Sequence, residues 1–154
     1  MKKIVVLSDT HGNISAIERL TDIMKESDYV FHLGDYQSDI ALFNREFGDK
    51  IHSVKGNCDM GGGDEILDVE GVKIMITHGN EYGVKNGLTR LNFKAKEVGA
   101  NVVFYGHTHV AKIEEFDGIT FINPGALKSF INKTYCYAVV HNGKLTAKIV
   151  DILE

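Results

Sequence analysis

A chain of 154 residues with 44% hydrophobic and 25% charged residues is long enough to bury a real core, and it falls within the size of one domain. The formal net charge of −4 argues against a general nucleic-acid binder, which ordinarily shows a basic excess. No apolar run approaches the length that spans a bilayer, so no membrane partner is expected.

The opening MKKIVVLSDT starts like a signal peptide, but Asp9 and His11 interrupt the apolar run and no small-residue cleavage site follows. It reads instead as a first strand, KKIVVLS. Ile14, Ile17, Leu20, Ile23 and Met24 then recur at helical spacing. Asn13 or Ser15 can cap that helix, and Ser15 with Glu18 forms a capping-box pattern. YVFHLG is a second strand, Ile40, Leu42, Phe43 and Phe47 mark a short helix, and KIHSVKG is a third strand. EILDVEGVKIMITHG gives two strands around Glu70-Gly71. Residues 84–98 read as a helix with Leu88, Leu91, Ala95 and Val98 on one face, ended by Gly99.

NVVFYG is another buried strand. Two hairpins follow: HVAKIEEFDGITFINPG turning at Asp117-Gly118, and TYCYAVVHNGKLTAKIVDIL turning at Asn142-Gly143. Strand–helix units come first and antiparallel strands last. The expected class is therefore α/β with mixed sheets, and a two-sheet sandwich with outer helices absorbs every strand. With no linker, repeat or low-complexity tract, residues 1–154 read as one domain. Cys58 and Cys136 form no CxxC pair and fit a reduced, cytoplasmic protein.

The polar residues that follow the strands carry the functional signal. IVVLS leads to Asp9-Thr10-His11, YVFHL to Gly34-Asp35, and IHSVK to Gly56-Asn57-Cys58-Asp59. VKIMIT leads to His78-Gly79, and VVFY to Gly106-His107-Thr108-His109. Sites in open α/β sheets form outside the carboxyl ends of strands. Asp, His and Asn suit divalent transition metals. The i, i+2 pairs Asp9/His11 and His107/His109 place both side chains on one side of an extended segment. One histidine at a strand end is ordinarily a surface residue. Four of the seven histidines fall in these junctions, and that convergence points to a metal site. His32, His52 and His141 lie inside strand patterns and read as structural. Thr10, Thr77 and Thr108 read as β-branched residues suited to strand ends, and Lys85, Arg90, Lys94 and Lys96 as a solvated face.

In this order the five blocks resemble the signature of the calcineurin-like metallophosphoesterases, over nearly the whole chain. Their spacing is similar to that of the small single-domain phosphodiesterase branch found in bacteria and archaea. Asn123-Pro124-Gly125 resembles the loop that follows the last block there. The resemblance implies a four-layer α/β/β/α sandwich and two divalent metals per chain. Asp9, His11 and His109 would hold one, Asn57, His78 and His107 the other, and Asp35 would bridge both. It also implies a phosphoester substrate, hydrolysed by a metal-bridging hydroxide with no covalent enzyme intermediate. Asp35, Asn57 and His107 would be the residues nearest the chemistry.

Manganese or nickel is the expected activator, and iron, cobalt and zinc suit the same donors. Cys58 stands where many relatives carry a histidine that serves the leaving group. Asp59 is placed to orient a ligand histidine or to cap the following turn. Relatives often dimerise, which implies a homodimer or higher homo-oligomer. The alternatives are a catalytically weak interaction module of the same fold, as in a retromer subunit, and a phosphomonoesterase. The second is disfavoured because no Asp-Arg-Gly follows Gly34-Asp35.

Overall fold

The computed structural model describes residues 1–128 and 132–152. Strand β1 (Lys2–Leu7) leads into two short helices, α1 (Ile14–Glu18) and α2 (Thr21–Glu26), then β2 (Tyr29–His32). Helices α3 (Gln37–Ala41) and α4 (Asn44–Phe47) precede β3 (Ile51–Ser53), and β4 (Glu65–Val69) pairs with β5 (Val72–Ile76). A 3₁₀ turn at Val84–Asn86 precedes α5 (Thr89–Val98). Strands β6 (Val102–Phe104), β7 (Lys112–Phe116), β8 (Ile119–Asn123), β9 (Thr134–His141) and β10 (Lys144–Asp151) complete the chain. Leu153, expected at the end of the last hairpin, lies outside the described residues.

The strands form two mixed five-stranded sheets, ordered β10-β9-β1-β2-β3 and β4-β5-β6-β8-β7. In the first, β1, β2 and β3 run parallel; in the second, β5, β6 and β8 do. Period-two alternation explains the layering. Ile4 and Val6 of β1 face the second sheet with Phe31, Ile74, Ile76 and Phe104. Val5 and Leu7 point the other way, onto Ile17, Met24, Ile40 and Phe47 of the first four helices. On the far side Met75, Val103 and Phe121 pack against Leu91 and Ala95 of α5. The result is the expected α/β/β/α sandwich. Phe31 and Phe104 meet across its middle at 5.9 Å between ring centroids. Truncating either to Ala would cost about 3–5 kcal/mol through lost transfer energy and the cavity left behind. Among the described residues no helix is long and apolar enough to cross a membrane.

Local chemistry corrects four sequence expectations. The helix expected through Met24 is broken. Leu20 N–H turns to the Ile17 carbonyl, and the Thr21 hydroxyl takes the Glu18 carbonyl that a continuing helix would use. No Ser15–Glu18 capping box forms. Asn13 caps α1 through Ala16 N–H, and the Ser15 hydroxyl donates to the Asn13 side chain. The helix expected over 84–98 is likewise interrupted, at Gly87, whose φ of 119° no helix admits. The segment around 40–47 forms two short helices rather than one. The three hairpin turns stand as read: Glu70, Asp117 and Asn142 have φ of 46°, 55° and 52°, each followed by a left-handed glycine.

Candidate metal centre

Five parallel strands, three from one sheet and two from the other, end at one rim of the sandwich, and the polar junctions meet there. Asp9, His11 and His109 present donor atoms within 4.8 Å of one another, and so do Asp35, His78 and His107. Asn57 joins the second group through its side-chain oxygen, 3.1 Å from His78 Nε2. A third set, His11, Asp35 and Cys58, shares members with the others. All seven residues assigned to metal ligation from the sequence are thus gathered in one cleft.

The loops that deliver them have an unusual backbone. Among the described residues, nine non-glycine residues have positive φ. Five are Asp9, His11, Asp35, His107 and His109, with φ between 42° and 71°. Tyr36 follows Asp35 at 69°, and the other three sit in the hairpin turns. Left-handed backbone costs a non-glycine residue energy, and it persists only where surrounding structure imposes it. Two glycines show the imposition. A Cβ on Gly56 would run into the Asp35 carboxylate, and one on Gly106 into the Ser8 hydroxyl and the Asp9 carboxylate. The loops therefore touch backbone to side chain, which holds Asp9 and Asp35 in place.

The electrostatics are those of a cation site. His78 Nδ1 donates to the Leu33 carbonyl at 2.7 Å, so Nε2 carries the lone pair. That lone pair faces Asn57 Oδ1 at 3.1 Å, His107 Nδ1 at 3.1 Å, Asp35 Oδ2 at 3.5 Å and Asp9 Oδ1 at 3.9 Å. Asn57 Oδ1 also lies 3.2 Å from both Asp35 carboxylate oxygens, so as oriented it meets acceptors only. His11 Nε2 is buried and makes no hydrogen bond among the described residues, 3.5 Å from Asp35 Oδ2. Acceptors facing acceptors is repulsive unless a cation stands among them, the Asn57 amide turns its nitrogen inward or His107 Nδ1 carries a proton towards His78. These residues fit divalent metal.

Burial pushes the Asp9 carboxyl up, but the hydrogen bond from His109, the charge of His78 and the Ser8 hydroxyl at 2.5 Å outweigh it and hold Asp9 below its ordinary value. The same His109–Asp9 contact, 3.1 Å, raises His109. Burial and the neighbouring His78 lower His107.

Behind the ligands lies a network the sequence did not announce. The Gly34 N–H donates to His32 Nδ1 at 3.1 Å, so His32 Nε2 bears the proton and donates to Thr10 Oγ1 at 3.0 Å. Thr10 donates onward to Asp39 Oδ2 at 2.7 Å, and Gly12 N–H meets the same oxygen at 2.7 Å. His32 is structural, as read, but its structure is the floor of the site. Burial pushes it down to about 4, so it is neutral. Thr10, Thr77 and Thr108 do more than suit strand ends. Thr77 donates to Asp64, and Thr108 accepts from Asn123 Nδ2, which also holds the Gly106 carbonyl. Asp59 does neither thing expected of it. It accepts from Tyr36 N–H, Gln37 N–H and Gly56 N–H, and so ties the Asp35 loop to the Asn57 loop. Cys58 is exposed, and its N–H donates to Asp35 Oδ1 at 3.0 Å. Burial and then the Asp35 charge raise its thiol.

A profile of the calcineurin-like phosphoesterase superfamily domain matches residues 1–144. The chain is 34% identical to a Bacillus subtilis protein named probable metallophosphoesterase YsnB, over 96% of this chain and 90% of that one. It is 27% identical to phosphodiesterase YfcE of Escherichia coli strain K12, over 82% of this chain and 80% of that one. Among solved structures it resembles a predicted phosphoesterase from Streptococcus pneumoniae, with a TM-score of 0.82 and 26% identity, over 97% of this chain and 89% of that one. The likeness takes in every loop that feeds the cleft, and the chain belongs to the calcineurin-like phosphoesterase superfamily.

Proposed function

We propose that this chain is a metal-dependent phosphodiesterase. Asp9, His11 and His109 hold one divalent ion, Asn57, His78 and His107 the other, and Asp35 bridges the two. The observation that carries the reading is the convergence of His78 Nε2, His107 Nδ1, the Asn57 side chain and the Asp35 carboxylate on one another at 3.1–3.5 Å, a spacing that donor atoms around a common cation would take. Bound divalent ions would neutralise phosphoryl charge and lower the pKa of water to near neutrality.

The chain's own residues set the stage for that chemistry. Leu33 fixes the tautomer of His78, while Ser8 and the His107 N–H fix the Asp9 carboxylate. Asn57 is exposed at the rim, where its amide N–H can donate to a phosphoryl oxygen while its oxygen faces inward. The thiol of Cys58 protonates a leaving alkoxide poorly. Esters with good leaving groups are therefore the better substrates, and the name of the Escherichia coli relative, a phosphodiesterase, favours diesters. Manganese and nickel are the activating ions proposed.

The test is hydrolysis of bis-p-nitrophenyl phosphate against p-nitrophenyl phosphate by metal-stripped protein, with Mn²⁺, Ni²⁺, Zn²⁺ or Mg²⁺ restored and bound metal counted by mass spectrometry. Metal-dependent cleavage favouring the diester is expected. Asp35→Ala should bind fewer than two ions and lose turnover. Two bound ions with neither ester cleaved would overturn the reading and favour an interaction module.

A further inference from the structure

A cavity lined by Val84, Leu88, Thr108, Val110 and Phe116 adjoins the cleft. Its volume is about 600 Å³, within the range of small-molecule sites. Thr108, between His107 and His109, forms part of its wall, and no candidate metal ligand does. Val84, Leu88, Tyr105, Val110 and Phe116 supply apolar surface. The cavity is built rather than incidental, because its two sides are tied together. Asn92 Nδ2 of α5 donates to Asp117 Oδ2 of the β7–β8 turn at 3.0 Å, and Lys96 pairs with the same oxygen at 2.8 Å. Phe116 is stacked on buried Phe121 at 4.5 Å between ring centroids.

Charge distinguishes this cavity further. Lys112 in its wall is paired with Glu114 at 3.5 Å, whereas Lys85 has no ion pair among the described residues. A second cavity near the cleft, of about 330 Å³ beside α3, has no charged side chain in its lining.

Displacement at phosphorus fixes which part of a diester lies sideways. Attacking and leaving oxygens take opposite sides, and three substituents fan out between them. Two are the charged oxygens, and the third is the ester arm that stays on phosphorus. Attack from the floor of the cleft would send the leaving group out to solvent and leave the retained arm along the rim, where the cavity beside Thr108 lies.

Building on the phosphodiesterase reading, we propose that the cavity walled by α5, Thr108 and β7 receives the retained arm of the diester. That arm is a ring-bearing group with a further negative charge at Lys85, as in a nucleoside phosphate. The ring packs between Leu88 and Phe116, and Lys85 meets the added anion.

Three p-nitrophenyl diesters with one leaving group test this: the methyl ester, the thymidine 5′-ester, and the thymidine 5′-ester carrying a 3′-phosphate. The thymidine arm should raise kcat/KM over methyl by roughly tenfold or more, and the 3′-phosphate by roughly tenfold again, the worth of one charge-assisted contact. Thr89→Trp, which fills the cavity from an exposed position, should collapse the thymidine-to-methyl ratio. Lys85→Met should erase only the gain from the 3′-phosphate. Equal kcat/KM for all three esters, or ratios untouched by Thr89→Trp, would overturn the inference alone. A thymidine preference with no gain from the 3′-phosphate would overturn the charge requirement. Failure to cleave any of the three would bring down the phosphodiesterase reading, and this one with it.

Discussion

Asp39 touches no candidate ligand side chain, yet its removal should damage both fold and site. It is 5% exposed, and one oxygen accepts from the Thr10 hydroxyl and the Gly12 N–H, each at 2.7 Å. A hydrogen bond to a charged group contributes about 1.5–3 kcal/mol, so the pair amounts to about 3–6 kcal/mol before correction. Removing a buried charge also removes its desolvation cost, which brings the expected loss for Asp39→Ala to about 2–4 kcal/mol. Asp39→Asn keeps an oxygen facing both donors and should lose about half as much.

The damage should reach the metals, because Thr10 lies between Asp9 and His11 and Gly12 follows them. Loss of such support typically lowers metal affinity by about 10–100-fold. The chain has no Trp, so urea unfolding of metal-free protein is best followed by far-ultraviolet circular dichroism, with Mn²⁺ affinity measured by calorimetry. An Asp39→Ala protein within about 0.5 kcal/mol of the parent, a change expected of an ordinary surface position, would refute the reasoning. So would unchanged Mn²⁺ affinity.

Burial holds His32 at about 4 against an ordinary 6.5, so the unfolded chain takes up a proton that the folded protein refuses. Stability of the metal-free protein should therefore be unaffected by this group above pH 6.5 and fall by about 3 kcal/mol as pH drops from there to about 4, flattening below. In His32→Gln that part of the slope should vanish, and an identical pH profile would contradict the assignment. Gly56→Ala drives a methyl group into the Asp35 carboxylate and should abolish two-metal binding, and a metal count of two would show that the loops can part. Cys58→His should retain or raise activity towards diesters, because the imidazole gives the leaving oxygen a proton donor. A complete loss with both metals bound would mean the thiol has a role of its own.

What was legible in the sequence was what short-range rules determine. Asn142-Gly143, Asp117-Gly118 and Glu70-Gly71 fixed three hairpins, because their backbone conformation is a local property. The junction residues were legible because their chemistry stands out against apolar strands. The breaks at Leu20 and Gly87 were not, since helical spacing of apolar residues continues across both. Nor was Asp39, an ordinary acidic residue in sequence that packing brings 2.7 Å from a threonine 29 positions away. The cavity beside His107 was equally hidden. Its walls come from α5 and β7, and only the fold makes them neighbours.

The left-handed backbone at Asp9, His11, Asp35, His107 and His109 sets stability and function against each other. Each position would be easier for glycine to occupy, by about 1 kcal/mol or more. Glycine there would remove a donor atom and relax the loop in one step. A laboratory search for heat-resistant variants, run without an activity screen, would drift towards glycine at the three histidines, since the buried Asp9 and Asp35 carboxylates accept backbone hydrogen bonds whose loss costs more. The survivors would keep the sandwich and lose the centre, so stability selection on this chain has to hold those positions fixed.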